Sequence, residues 1–90
     1  MTKIKRIDYS RRFDKELRKA PLKIKIAFKN RREIFNQDSF HPQLNNHQLT
    51  GKYKGFKSVN ITGDWRAIYS ERNGVIIFEL LGTHSQLYKR

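Results

Sequence analysis

The spacing of apolar residues changes period midway along the chain, and the change predicts helices first and strands afterwards. Lys3 to Ile7 reads Lys-Ile-Lys-Arg-Ile, the alternation of a short strand with Ile4 turned inward and its cations in solvent. Ser10 then stands where an N-cap is needed. From Arg11 to Lys19, Phe13 and Leu17 lie four apart while Arg11, Arg12, Lys15, Arg18 and Lys19 fall mostly elsewhere on the wheel, which predicts an amphipathic helix with a basic back. Pro21 suits the first turn of a second helix, whose stripe is Ile24, Ala27, Phe28, Ile34 and Phe35 and whose stop is Asn36. Gln37 to Leu49 carries Pro42, paired asparagines and two histidines without a period, and reads as a loop.

Beyond the loop the period shortens to two. Asn73-Gly74 between Trp65 to Arg72 and Val75 to Leu81 is a strong two-residue hairpin signal. Counting outward from Arg72 opposite Val75 pairs Tyr69 with Phe78, Ala67 with Leu80 and Arg66 with Leu81. Asp64 then comes level with Thr83 and beside His84. Ala67, Tyr69, Ile76, Phe78 and Leu80 make one apolar side for the helices to cover, while Arg66, Ser70 and Glu79 interrupt the other. A strand at Phe56 to Ile61 adds Ser58 and Asn60 to one of these faces. The expected fold class is α+β in the order β-α-α-β-β-β, with two N-terminal helices packed on one face of an antiparallel-dominated sheet and a short C-terminal turn, all in one domain over residues 1–90.

Charge narrows the partner. Twenty Lys and Arg against eight Asp and Glu leave a net charge of +12, which calls for an acidic partner, with nucleic acid ahead of a membrane surface or an acidic protein. No cysteine occurs, so a disulfide framework and thiolate metal sites are excluded. The longest apolar run, at Val75 to Phe78 and Leu80 to Leu81, is too short to span a bilayer, and the charged start does not read as a signal peptide. A reducing, cytoplasmic setting is the expectation, with no membrane association.

Cutting RNA by its own 2′-hydroxyl needs a base near that oxygen, donors around the phosphate and an acid at the departing 5′-oxygen. Imidazole, carboxylate and guanidinium supply these roles, and the hairpin count places His84, Asp64 and Arg66 together. Each also has a plain structural explanation. His84 follows a Gly-Thr turn as surface histidines do, Asp64 suits a turn, Arg66 suits a solvated strand, and Tyr88 packs a chain end. His41 and His47 stand six apart without a supporting carboxylate, unlike a zinc motif, so no metal or cofactor is expected. Gly51-Lys52-Tyr53-Lys54-Gly55-Phe56-Lys57 mixes cations with aromatics as nucleic-acid surfaces do. Lys52, Lys54 and Lys57, with Ser58 and Asn60 on the adjoining strand, are the RNA-contact candidates.

Four blocks carry a resemblance to a known family over almost the whole chain: Tyr9-Ser10 with Phe13 and Leu17; His47-x-Leu49-x-Gly51-x-Tyr53-Lys54-Gly55-Phe56; Asp64-Trp65-x-x-Ile68-Tyr69; and Gly82-Thr83-His84-Ser85-x-Leu87-Tyr88. The sequence resembles the RelE/YafQ group of toxin-antitoxin ribonucleases. That resemblance implies a ribosome-dependent endoribonuclease that cuts translated mRNA without a metal, inhibits translation and is held inactive by a cognate antitoxin. It implies a monomer alone or a hetero-oligomer with that antitoxin. It places His47, Asp64, His84 and Tyr88 in the active site. Two positions depart from the YafQ-like pattern, since Ser58 and Asn60 stand where that pattern has Asp and His, while Arg66 and Tyr88 are similar to the RelE-like version.

The resulting assignment gives His84 the general acid role, Arg66 phosphate stabilisation, Asp64 the orientation of His84, and His47 or Tyr88 the 2′-hydroxyl contact, with acid and base exchangeable. Two other readings keep the fold. One is a non-catalytic, ParE-like toxin that grips a protein such as a topoisomerase; the other is a basic RNA-binding module.

Overall fold

A computed structural model describes residues 4–88. Its elements run β1 (Arg6–Tyr9), α1 (Arg11–Lys19), α2 (Leu22–Gln37), β2 (His47–Gln48), β3 (Lys57–Asn60), β4 (Trp65–Arg72), β5 (Val75–Thr83) and α3 (His84–Tyr88). The five strands form one sheet in the order β1-β5-β4-β3-β2. β1 lies parallel to β5, and every other pairing is antiparallel. The expected α+β class and antiparallel-dominated sheet are therefore observed.

Local chemistry explains most element ends. Ser10 caps α1, its hydroxyl accepting from Phe13 N–H at 2.9 Å. Pro21 is the cap of α2 and not its first residue, which still leaves its missing N–H without cost. Asn73 and Gly74 both adopt positive φ, 53° and 84°, as a tight type I′ reversal requires. Three expectations need correction. β1 starts at Arg6, so Ile4 and Lys5 precede it, and Lys3 lies outside the described residues. The loop after α2 hides a 3-10 turn at Pro42–Leu44 and the two-residue β2. The C-terminal turn is a short helix, α3.

Phe13, Ile24, Phe28 and Phe35 from the helices meet Val59, Ile61, Ala67, Tyr69, Ile76, Phe78 and Leu81 from one face of the sheet. Phe78 is central, since its ring lies 5.4 to 5.9 Å from those of Tyr9, Phe13, Phe28, Phe35 and Tyr69. Tyr69 is 1% exposed, and its hydroxyl donates to Asn46 Oδ1 at 2.9 Å. Burial pushes this hydroxyl up to about 12. The folded state thus keeps a proton that an unfolded tyrosine loses near pH 10, so this group's contribution to stability is whole below about pH 10 and disappears as pH rises to about 12. Urea denaturation across that range should show a falling midpoint, and Tyr69→Phe should flatten the fall; an unchanged slope in the variant would remove Tyr69 as its cause.

The register of the β4–β5 hairpin differs from one-to-one counting. Arg72 pairs with Val75 and Tyr69 with Phe78, as expected, but Ile68 then pairs with Leu80, Ala67 with Leu81, Arg66 with Gly82 and Trp65 with Thr83. Glu79 is left over in a β-bulge. One extra residue exchanges the faces of everything beyond it. Leu81 therefore joins the core in place of Leu80, and Gly82, not Leu81, lies opposite Arg66 on the face the helices leave open.

α1 lies against the outer edge of β5 at this bulge. β1 ends at Tyr9, so the edge of β5 beyond Phe78 lacks a strand partner on that side. Side chains of α1 and its cap take that place: Ser10 Oγ donates to the Glu79 carbonyl at 2.8 Å, and Glu16 Oε1 accepts from Leu81 N–H at 2.9 Å. The Glu79 carboxylate meanwhile accepts from Ser70 Oγ at 3.0 Å.

Candidate active site

The open face carries the candidates in two rows, set by strand alternation. His47, Ser58, Ile68 and Leu80 follow one another across β2, β3, β4 and β5; Asn60, Arg66 and Gly82 form the next rung. Asp64 and His84 lie just beyond the second rung. Their contact is main chain to main chain, with His84 N–H donating to the Asp64 carbonyl at 2.9 Å. The bulge is what aligns them, because without it Asp64 would stand level with Thr83 and His84 would fall one place past it.

The turn that presents Asp64 is tied down from inside. Thr62 Oγ1 accepts from Asp64 N–H and Trp65 N–H at 3.4 and 3.1 Å, a short-range cap of the kind hydroxyl residues form in turns. Arg66 Nη1 reaches back to the carbonyls of Thr62 and Gly63, both at 3.1 Å, and of Trp65 at 3.3 Å. Arg66 is therefore a brace of the turn, with its remaining N–H donors available for an anion.

At the other side of the junction, Thr83 and Gln86 form a reciprocal capping box that starts α3. Gln86 Oε1 accepts from Thr83 N–H at 2.9 Å and Thr83 Oγ1 accepts from Gln86 N–H at 3.2 Å. Gly82 lets this helix fold tightly against its own strand, since a Cβ there would meet Gln86 Oε1 at 3.1 Å and the Leu87 side chain at 3.4 Å. His84 and Tyr88, four apart on α3, bring their rings to 4.7 Å. Tyr53 anchors the far end, donating its hydroxyl to the Leu87 carbonyl at 2.7 Å and setting its ring 5.7 Å from that of Tyr88.

These contacts revise one expectation. The imidazole of His84 packs on Tyr88, and among the described residues the ion pairs are Arg6–Asp8, Arg12–Glu16 and Lys57–Glu71, so the Asp64 carboxylate does not orient His84. Asp64, His84, Tyr88 and His47 are all exposed, while Ser58 and Ile68 between them on that face are buried. Among the described residues no group of three or more His, Asp or Glu is placed to hold a metal ion.

The remaining candidates separate. His47 stands on β2, three strands from β5, which at about 4.8 Å per strand puts its backbone roughly 14 Å across the face. Its Nδ1 lies 2.7 Å from the Asn45 carbonyl, which can only accept, so Nδ1 carries the proton and Nε2 presents its lone pair when the ring is neutral. Lys57 points to the helix side with Val59, and its ammonium pairs with Glu71 at 3.2 Å, so alternation along β3 takes it off the open face. Ser58 is on that face but fully buried. Its hydroxyl and Asn60 Oδ1 are both buried with no partner among the described residues. Lys52 and Lys54 remain exposed in the loop that leads to β3.

Sequence reading assigned no role to Gln86 or Glu16, and took Ser10 only as a helix cap and Tyr53 only as an aromatic of a cationic stretch. The Thr83-x-x-Gln86 spacing was a readable capping signal; nothing local reveals that Tyr53 reaches Leu87 or that Glu16 reaches Leu81.

The family description "bacterial toxin of type II toxin-antitoxin system, YafQ" matches residues 5–89. The mRNA interferase toxin YafQ of Escherichia coli K12 is 36% identical over 42 residues, a match spanning 47% of this chain and 46% of that relative, a little under half of its length. The crystal structure of YafQ from E. coli strain BL21(DE3) is 26% identical, covers 91% of this chain and 96% of that one, and superposes with a TM-score of 0.73. A chain of the E. coli DinJ–YafQ complex is 25% identical over 91% of this chain and 96% of its own, with a TM-score of 0.65. The chain belongs to the YafQ family of bacterial toxins of type II toxin-antitoxin systems.

Proposed function

We propose that the chain is an endoribonuclease that cuts mRNA during translation, using the 2′-hydroxyl of the substrate as nucleophile. The observation that carries this reading is the junction of the β3–β4 turn with α3, where His84 donates its backbone N–H to the Asp64 carbonyl and sets its exposed ring 4.7 Å from that of Tyr88, on a chain of net charge +12. As the 2′-oxygen bonds to phosphorus its proton passes to water, and His84 gives its own proton to the departing 5′-oxygen; Tyr88, packed on the His84 ring, contacts the 2′-hydroxyl. Arg66 offers its spare N–H donors to the phosphate, where charge builds in the transition state. Asp64 shapes the rim through its backbone. His47 meets the same strand of RNA from across the face, with Lys52 and Lys54 beside the path.

The sharing of such a family with a complex named DinJ–YafQ supports an antitoxin partner for this chain too, and its charge favours an acidic one. The nuclease reading is tested by primer extension on an mRNA translated in a cell extract, beside the same mRNA with initiation blocked. Defined cuts are expected only in the translated message. An intact message alongside arrested growth would overturn the nuclease and leave a toxin that acts by gripping a protein target.

A further inference from the structure

We infer that Glu16, with Ser10, is a positioning residue of this site: α1 serves as a substitute strand that pins the Glu79 bulge and so holds His84 in line with Asp64. The inference rests on the proposed role of His84.

Three observations meet here. β5 pairs with β1 only as far as Phe78, so its next edge groups need partners from elsewhere. The partners are side chains of α1 and its cap, one donating to the Glu79 carbonyl and one accepting from Leu81 N–H, on the two sides of residue 80. The leftover residue of the hairpin is Glu79 itself. A bulge is an extra residue that the ladder alone does not require, and a one-residue slip would restore continuous pairing while turning Leu81 out of the core. The carboxylate bond to Leu81 N–H holds that residue in the register in which it faces the helices. The following residues then carry Gly82 opposite Arg66 and His84 onto the Asp64 carbonyl. Glu16 also accepts from Arg12 at 3.3 Å, but through its other oxygen, Oε2, on the exposed side of α1.

The bond to Leu81 needs an acceptor, not a charge. Glu16→Gln keeps an oxygen that can accept from Leu81 N–H, and Glu16→Ala does not. Cleavage of translated mRNA should therefore fall about a hundredfold in Glu16→Ala, the size expected when a reacting group is displaced by about an ångström. In Glu16→Gln it should stay within about threefold, because a neutral acceptor weakens the bond without abolishing it. Adding Glu16→Ala to His84→Ala should cost nothing more, since the first acts through the second. Amide exchange at Leu81 and His84 should accelerate in Glu16→Ala with the rest of the sheet still protected. Wild-type cleavage by Glu16→Ala, equal losses in the Ala and Gln variants, or a further loss in the double variant would each overturn the positioning role. Wild-type cleavage by His84→Ala would instead overturn the site itself, and the positioning role with it.

Discussion

His84→Ala should cut translated mRNA roughly a hundred to ten thousand times more slowly than the parent chain, the range a positioned proton donor supplies. The fold should persist. His84 is exposed, its backbone N–H still reaches the Asp64 carbonyl, and the capping box that starts α3 belongs to Thr83 and Gln86. Thermal denaturation should therefore give nearly the parent midpoint while single-turnover cleavage in a translation extract collapses. The comparison with His47→Ala is informative, because His47 lies across the face and is assigned to grip. Its loss should appear as weaker saturation more than as a slower step at saturation. A His84→Ala chain that cleaves at the parent rate would separate this imidazole from the chemistry.

Phe78→Ala should unfold much of the population at physiological temperature. The ring touches five other aromatics, so its removal opens a cavity at the centre of the core, for which Phe→Ala changes cost about 3–5 kcal/mol. Domains are stable by only about 5–15 kcal/mol, and a chain of this size sits toward the low end. A fall in melting midpoint of roughly 15 °C or more follows. Phe78 is also the last residue in simple register before the bulge, so even the folded fraction should be impaired in cleavage. A loss of a few degrees would mean that the surrounding rings close over the gap.

Much of this architecture was legible along the chain because it rests on local signals. Ser10, the spacing of Phe13 and Leu17, and Asn73-Gly74 each act within a few residues, and each produced the expected element. β2 was not legible, because two residues cannot show a period. The hairpin register failed for a different reason. Counting assumes one residue opposite one, and the extra residue at Glu79 is held by Ser10 and Glu16, far away in sequence. The same long-range bonds explain why the site was only partly readable. His84, Asp64 and Arg66 were brought together on the strength of the turn; Asp64 and His84 touch only through a backbone bond in a re-aimed register, and Arg66 turns back onto the carbonyls of the turn. Lys57 was grouped with Lys52 and Lys54 by sequence proximity, and the alternation of β3 sends it to the other face.

The most direct test of the central claim is to map where RNA touches the chain. A short RNA with methylated 2′-hydroxyls binds without being cut, and its titration into isotope-labelled protein can be followed by amide and ring chemical shifts. Shifts centred on Asp64, Arg66, His84 and Tyr88, with weaker ones at His47 and Lys52, are the predicted result. Shifts confined to the cationic outer surfaces of α1 and α2, with the His84 ring unmoved, would contradict it.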